Sequence, residues 1–248
     1  MSRIRRALLA LALIGLALPA RAEQPLLADL SGHLIAITTG FTGTSVVLFG
    51  ATEGPGDIVA IVRGPERDVA VWEKRHFAGL WINGASVTFA GVPSYYAVFS
   101  NRKLDDIAPP SAQALSQIGI ANLHLDSLDP ETKPDAATAF RAALVAQQKA
   151  AHLFGEYPGS VAFLGERLFR ATLDFPADVP TGNYLVEVLL IRDGKVVSGQ
   201  TTPLVISESG VNADLYEFAM NNAALYGLAA VLIAALLGWL ASLPFRDA

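Results

Sequence analysis

The sequence contains no cysteine, and only 17% of its 248 residues are charged. The absence of cysteine excludes disulfide bonds, thiolate nucleophiles and metal sites that need Cys ligands. The formal net charge of −5 argues against nucleic acid as a partner, because a nucleic-acid binder presents a basic face. Hydrophobic residues make up 52% of the chain, which is too many for a disordered protein.

Catalytic and cofactor-binding motifs are also missing. The sequence has no Gly-x-Ser-x-Gly, no P-loop, no Gly-x-Gly-x-x-Gly and no His-Glu-x-x-His. Its histidines stand far apart in the chain, whereas a metal site needs three or four converging ligands. We therefore predict no catalytic residues, no metal ligands and no cofactor, and a protein that is not an enzyme.

The N-terminus has the pattern of a secretory signal peptide over residues 1–22. Three arginines precede a short apolar stretch at residues 7–18, and Ala20-Arg21-Ala22 supplies a small-x-small cleavage site. An uncleaved anchor helix is the alternative. Cleavage after Ala22 leaves 14 basic and 23 acidic residues, a net charge of −9, so the exported part is acidic.

The C-terminus carries a second apolar stretch, without a charged residue between Glu217 and Arg246. Its core of 21 residues, 223–243, would rise by about 31 Å as a helix and match a bilayer core of roughly 30 Å. The pattern predicts a transmembrane helix over residues 219–244 and a cytoplasmic tail over residues 245–248. A buried core helix is the alternative.

Small residues recur every three or four positions along this predicted helix. Such a stripe lets a second helix approach closely, so it predicts a packing face for self-association or for an integral membrane partner. Chance spacing in an Ala-rich run is the alternative. The residues of the stripe are Gly227, Ala230, Ala234, Gly238 and Ser242.

The exported part is expected to be mainly β, an immunoglobulin-like β-sandwich over residues 23–206. Short β-branched runs separated by turn signals every 8–12 residues are typical of a sandwich. Asn83-Gly84 and Asp193-Gly194 are predicted hairpin turns. A helical insert is expected at about residues 104–159, with its main helix at 136–154, and a linker at 207–218. Two domains divided near Lys103 are the alternative.

One segment concentrates aromatic and basic residues and is a candidate surface for a partner or a ligand. We favour the other interpretation, a sandwich strand with Trp72 or Trp81 in the core and the charges outside, because aromatic residues commonly anchor sandwich cores. A periplasmic ligand-binding module or enzyme that uses the Trp72–Trp81 patch is the alternative function. The residues of the predicted surface are Trp72, Arg75, His76, Trp81, Tyr95 and Tyr96.

Several phrases of the sequence together resemble one protein family. They include Phe41-Thr42-Gly43-Thr44, Ile61-Val62-Arg63-Gly64-Pro65, Gly79-Leu80-Trp81-Ile82-Asn83 and Pro180-Thr181-Gly182-Asn183-Tyr184. The resemblance is to an alphaproteobacterial family of transmembrane proteins with a periplasmic domain and one C-terminal span. It implies a bacterial inner-membrane protein with its bulk in the periplasm and its C-terminus in the cytoplasm.

The same resemblance implies a role and a partner, but no site residues. Members are often encoded beside permeases that resemble sulfite or sulfonate exporters. We therefore expect a membrane-anchored periplasmic accessory protein whose partners are the lipid bilayer and either an integral membrane permease or a second copy of the chain.

Overall fold

The computed structural model describes residues 25–77, 79–129, 133–209 and 219–242, with side chains as far as residue 239 in the last segment. The predicted signal peptide and the tail at residues 245–248 lie outside the described residues. The strands are β1 (Leu26–Leu30), β2 (Leu34–Ile37), β3 (Thr44–Thr52), β4 (Asp57–Arg63), β5 (Glu66–Phe77), β6 (Leu80–Pro93), β7 (Tyr96–Ser100), β8 (Asp126–Ser127), β9 (Phe154–Pro158), β10 (Val161–Leu164), β11 (Leu168–Phe175), β12 (Gly182–Arg192) and β13 (Lys195–Glu208). The helices are α1 (Leu104–Ile107), α2 (Pro110–Leu115), a 3-10 turn (Ile120–Asn122), α3 (Pro134–Ala150) and α4 (Ala223–Ser242).

A six-stranded sheet with the order β2-β13-β12-β4-β7-β9 forms the centre of the fold. Strand β4 has the continuous apolar run Ile58-Val59-Ala60-Ile61-Val62, and all five side chains are buried. Such a run is typical of a strand that is covered on both faces. Pairing is antiparallel except at the two edges of this sheet, where β2–β13 and β7–β9 are parallel.

A four-stranded sheet with the order β1-β3-β11-β10 packs against one face of the six-stranded sheet. The rings of Phe175 in β11 and Tyr184 in β12 meet at 6.1 Å between centroids. The Tyr95 hydroxyl crosses the same interface and donates a hydrogen bond of 2.8 Å to the Asp174 carbonyl. Early strands pair with late ones, β3 with β11 and β4 with β12, so the two halves of the chain share one hydrophobic core.

The third sheet is a long hairpin of β5 and β6, with the short strand β8 at the edge of β6. The base of the hairpin belongs to the core, since Val71, Val87, Phe89 and Val92 are buried. Between Val71 and Val87, every described residue is exposed except Gly84, which is half-buried. We call residues 72–77 and 79–86 the ribbon end.

The expectation of a mainly β fold is confirmed, whereas an immunoglobulin-like sandwich is not the observed topology. Immunoglobulin folds consist of two antiparallel sheets. The described chain instead forms three sheets, with two parallel strand pairs. The predicted insert explains part of the difference, because it contributes β8 and β9 to two of the sheets as well as helices.

The predicted transmembrane helix is corrected by the structure. In the part of the chain that the structure describes, no helix combines the length and the apolar character that a membrane crossing requires.

Two local predictions also differ from the structure. Asn83-Gly84 does not form a turn, because the hairpin reverses near Gly79, where φ is +83°, and β6 runs on through both residues. The main helix of the insert ends at Ala150 rather than at Phe154. Phe154 instead begins β9, which pairs with β7, so tertiary pairing overrides the local helical pattern.

Candidate interaction surface

The ribbon end is ordered by a ladder of cross-strand pairs. From the tip inwards the pairs are Phe77–Leu80, His76–Trp81, Arg75–Ile82, Lys74–Asn83 and Trp72–Ser86. A register shift between Trp72 and Lys74 accommodates Gly84, where a Cβ would lie 3.0 Å from the Arg75 side chain. A glycine inside a strand is common at such an irregularity.

Apolar side chains lie on both faces of the ribbon end. Directly opposed residues share a face and successive residues alternate, so Phe77, Leu80 and Ile82 lie on one face and Trp81 lies on the other. Phe77, Leu80 and Trp81 are respectively 70%, 69% and 71% exposed. The ribbon end is therefore an apolar projection rather than the wall of a closed pocket.

Charged groups begin one step further from the tip. The Arg75 guanidinium forms an exposed ion pair with Glu73 at 3.0 Å. The Lys74 ammonium donates a hydrogen bond of 2.6 Å to the Asn83 side-chain oxygen, and both groups are exposed. With His76 neutral, two cations and one anion give the ribbon end a net charge of +1, opposite in sign to the chain as a whole.

Four of the six predicted surface residues come together at the ribbon end, namely Trp72, Arg75, His76 and Trp81. The favoured interpretation, in which Trp72 or Trp81 lies in the core, differs from the structure, because Trp72 is 51% and Trp81 is 71% exposed. Among the residues that the structure describes, no group of three or more His, Asp or Glu side chains is arranged to hold a metal ion.

The remaining two residues, Tyr95 and Tyr96, are buried in the body of the fold. The Tyr96 hydroxyl donates to the Gln117 carbonyl at 2.7 Å and accepts from the Gly119 amide at 3.0 Å, which ties the insert to β7. Burial raises the pKa of both phenols well above its usual value. The two tyrosines are thus structural residues and do not join the ribbon end in an exposed surface.

The predicted packing face of α4 is open in the structure. Gly227, Ala230, Ala234 and Gly238 are all exposed, and a Cβ built on either glycine would meet no atom within 4 Å. Larger apolar side chains cover the rest of the helix, and Leu228, Val231 and Ile233 are each more than half exposed. The side chain of Ser242 lies outside the described residues.

An apolar groove lies on the outer face of the four-stranded sheet, and the sequence analysis did not predict it. It has a volume of about 720 Å³. Four large apolar side chains in it are 47–61% exposed, namely Leu27, Phe49, Leu164 and Leu168. The signal in the sequence is the alternation of β11, whose buried Phe169, Ala171 and Leu173 put Leu168 on the opposite face.

Comparison with known protein families identifies a match. The family model described as "Putative transmembrane protein (Alph_Pro_TM)" matches residues 25–247, nearly the whole chain after the predicted signal peptide. No curated protein matches the chain.

Proposed function

The chain belongs to the family described as "Putative transmembrane protein (Alph_Pro_TM)", and we propose that it is a membrane-associated interaction protein without a catalytic role. Its β body is exported to the periplasmic side of the bacterial inner membrane, and its ribbon end contacts the lipid surface. The signal-peptide pattern at residues 1–22 and the family description support export and membrane association.

The observation that carries this proposal is the presence of exposed apolar side chains on both faces of one projecting ribbon. A protein partner typically covers one face of a β-ribbon, whereas the interfacial region of a bilayer surrounds an inserted tip on every side. Transfer of a large apolar side chain out of water contributes about 1.5–3 kcal/mol. Phe77, Leu80 and Trp81 lie close together at the tip, so all three can contribute this transfer free energy when the tip enters the bilayer.

The order of side chains along the ribbon end matches the layers of a membrane surface. Lys74 lies three residues from Phe77, which corresponds to about 10 Å at about 3.4 Å per residue. Interfacial segments bury their apolar side chains about 5–10 Å below the headgroups. Insertion of the tip to that depth leaves Lys74 and the Arg75–Glu73 ion pair at the headgroups, where the net charge of +1 is favoured by anionic lipid. It also places Trp81 in the interfacial region that tryptophan prefers.

Helix α4 is a second candidate contact surface in this proposal. Every described side chain from Met220 to Trp239 is exposed, and a large exposed apolar surface is typical of an interaction site. We propose that its small-residue face packs against another helix. The resemblance described above makes a permease similar to sulfite or sulfonate exporters the candidate owner of that helix, and a second copy of the chain is the other candidate.

Photocrosslinking in intact membranes tests the proposed lipid contact. A benzophenone amino acid replaces Trp81 in the full chain, and a matched chain carries it in place of Leu115, an 88% exposed leucine of α2. We expect phospholipid adducts at position 81 and far fewer at position 115. A protein adduct at position 81 instead of a lipid adduct would contradict lipid contact, and equal lipid adducts at both positions would remove the special role of the ribbon end.

A further inference from the structure

The groove on the four-stranded sheet is built by residues that lie opposite one another on four strands. Leu27 of β1 opposes Ala51 of β3, Ala51 opposes Leu168 of β11, and Leu168 opposes Leu164 of β10. Directly opposed residues share one face, so these side chains form a continuous apolar row. Three gaps of about 4.8 Å between strands give the row a length of roughly 14 Å.

A second row beside the first brings charge to the groove. Asp29, Phe49 and Arg170 oppose one another on β1, β3 and β11. The Asp29 carboxylate already accepts a hydrogen bond from the Leu30 amide at 2.8 Å and lies 3.0 Å from the His33 ring nitrogen. Within the described residues the Arg170 guanidinium has no carboxylate within ion-pair distance. A cation without a partner therefore borders an apolar floor.

Gln200, a polar residue that lines the groove, forms hydrogen bonds to the backbone of β1. The Gln200 side chain accepts a hydrogen bond from the Ala28 amide at 2.9 Å and donates one to the Ala28 carbonyl at 2.7 Å. Gln200 thereby satisfies the free edge of β1 and fixes β13 beside the groove. Gln200 is uncharged, so Arg170 is the group that would select an anionic ligand by charge.

We infer that the groove binds a single-chain amphipathic anion, an acyl chain that ends in a carboxylate. Because Arg170 lies beside Leu168 in the second row, the carboxylate would pair with its two-pronged guanidinium there, and the acyl chain would extend across Ala51 towards Leu27. The volume of about 720 Å³ lies in the range of small-molecule sites. The roughly 14 Å row provides a track for one chain, which favours a free fatty acid over a two-chain phospholipid. This inference concerns a different surface from the ribbon end and does not depend on the proposed function.

The test uses the full chain in phosphatidylcholine nanodiscs and a photoactivatable dodecanoic acid, with its uncharged methyl ester as the matched probe. Labelled positions are mapped by mass spectrometry. We expect the acid to label peptides that contain β1 and β11 about tenfold more than the ester does, because one charge-assisted pair contributes about this factor.

Variants distinguish recognition of the charged carboxylate from nonspecific hydrophobic binding. Arg170→Gln is expected to lower labelling by the acid about tenfold and to leave labelling by the ester unchanged. Arg167→Gln, which removes the same charge from an exposed position outside the groove, is expected to leave both unchanged. Leu168→Asn is expected to lower labelling by both probes. Three results would overturn the inference: equal labelling by acid and ester, equal loss in the two Gln variants, or crosslinks between two copies of the chain at the groove.

Discussion

The indole of Trp81 meets the imidazole of His76 edge-on, with 5.2 Å between the ring centroids, across the penultimate pair of the ribbon end. This contact holds the indole on one face of the ribbon while Phe77 and Leu80 occupy the other. The ribbon end therefore presents its largest side chain in a defined orientation, although Trp81 remains 71% exposed.

Leu80→Ser and Trp81→Ser are expected to weaken lipid contact without destabilising the fold. Both side chains are about 70% exposed, so the free energy of unfolding should change by less than about 0.5 kcal/mol. Fluorescence quenching by spin-labelled lipid, read from a probe attached at position 77 of a Phe77→Cys chain, should fall in both variants. Leu115→Ser is the control, because it removes an exposed leucine elsewhere and should leave the quenching intact.

Tyr96→Phe is expected to destabilise the body and to leave the ribbon end unaffected. The substitution removes a hydrogen bond to the Gln117 carbonyl and leaves the Gly119 amide without its acceptor. Loss of a buried partner costs about 1–3 kcal/mol, which urea denaturation would measure. Unchanged stability would contradict the structural role assigned to this tyrosine.

Gly50→Ala is expected to destabilise the four-stranded sheet. A Cβ at this position would lie 2.4 Å from the Leu27 carbonyl oxygen and 2.4 Å from the Phe169 ring, so the strand or the ring must shift. Overpacking of this kind costs about 1–3 kcal/mol. Thermal unfolding should show a lower midpoint for Gly50→Ala than for Gly40→Ala, since a Cβ at Gly40 meets nothing within 4 Å. Equal midpoints would mean that β1, β3 and β11 are not packed as described.

Asp57→Asn is expected to lower stability in a pH-dependent way. The hydrogen bonds from Arg102 hold the pKa of Asp57 below its usual value of 3.8, and the Asn101 amide adds a further bond. A depressed carboxyl pKa contributes stability that is complete above the unfolded-state pKa and disappears as the pH falls through the folded-state pKa.

The stability difference between the wild type and Asp57→Asn should thus be constant at about 1 kcal/mol between pH 5 and 8 and should shrink below about pH 4. Urea titrations at each pH would measure it, with Glu166→Gln as a control in an exposed turn. A difference that persists undiminished at pH 2 would show that the ion pair is not its cause.

Gly238→Leu is expected to interfere with helix–helix contact at the small-residue face of α4. A leucine there is accommodated within the described chain, because a Cβ meets no atom within 4 Å, but it holds a second helix at a distance. Copurification of a permease or of a tagged second copy after mild detergent extraction should decrease. Ile233→Leu, which changes no small residue, serves as the control. If the Gly238→Leu chain still retains its partner, the small-residue face of α4 does not mediate the association.

The parts of the fold that were predictable from sequence are those fixed by local chemistry. Strand β4 occupies residues 57–63, an apolar run followed by Gly64-Pro65, and such a run bounded by turn residues is a local strand signal. The Asp193-Gly194 turn forms as expected, with φ of +49° and +73° at the two residues. Those positive values match the mirror-image turn that Asp-Gly favours in two-residue hairpins.

Features that depend on long-range pairing were not predictable in the same way. Asn83-Gly84 has the same local signal as Asp193-Gly194, but the sequence does not reveal that β5 continues opposite it as far as Phe77. The groove needs Leu27 and Leu168 to meet through Ala51, although 141 positions separate them in the chain. Exposure of Trp72 and Trp81 likewise follows from the hairpin projecting beyond the core, which no local pattern encodes.

The most direct test of lipid contact at the ribbon end is the membrane depth of a probe at position 80. Because the chain contains no cysteine, Leu80→Cys provides a unique labelling site in the full protein. A second chain carries Lys195→Cys beside the Asp193-Gly194 turn of the β12–β13 hairpin. Both are labelled with an environment-sensitive fluorophore in vesicles that contain spin-labelled lipid. Strong quenching and a blue-shifted emission at position 80, with neither at position 195, is the predicted result. A probe at position 80 that remains as accessible to water as the probe at position 195 would contradict the account.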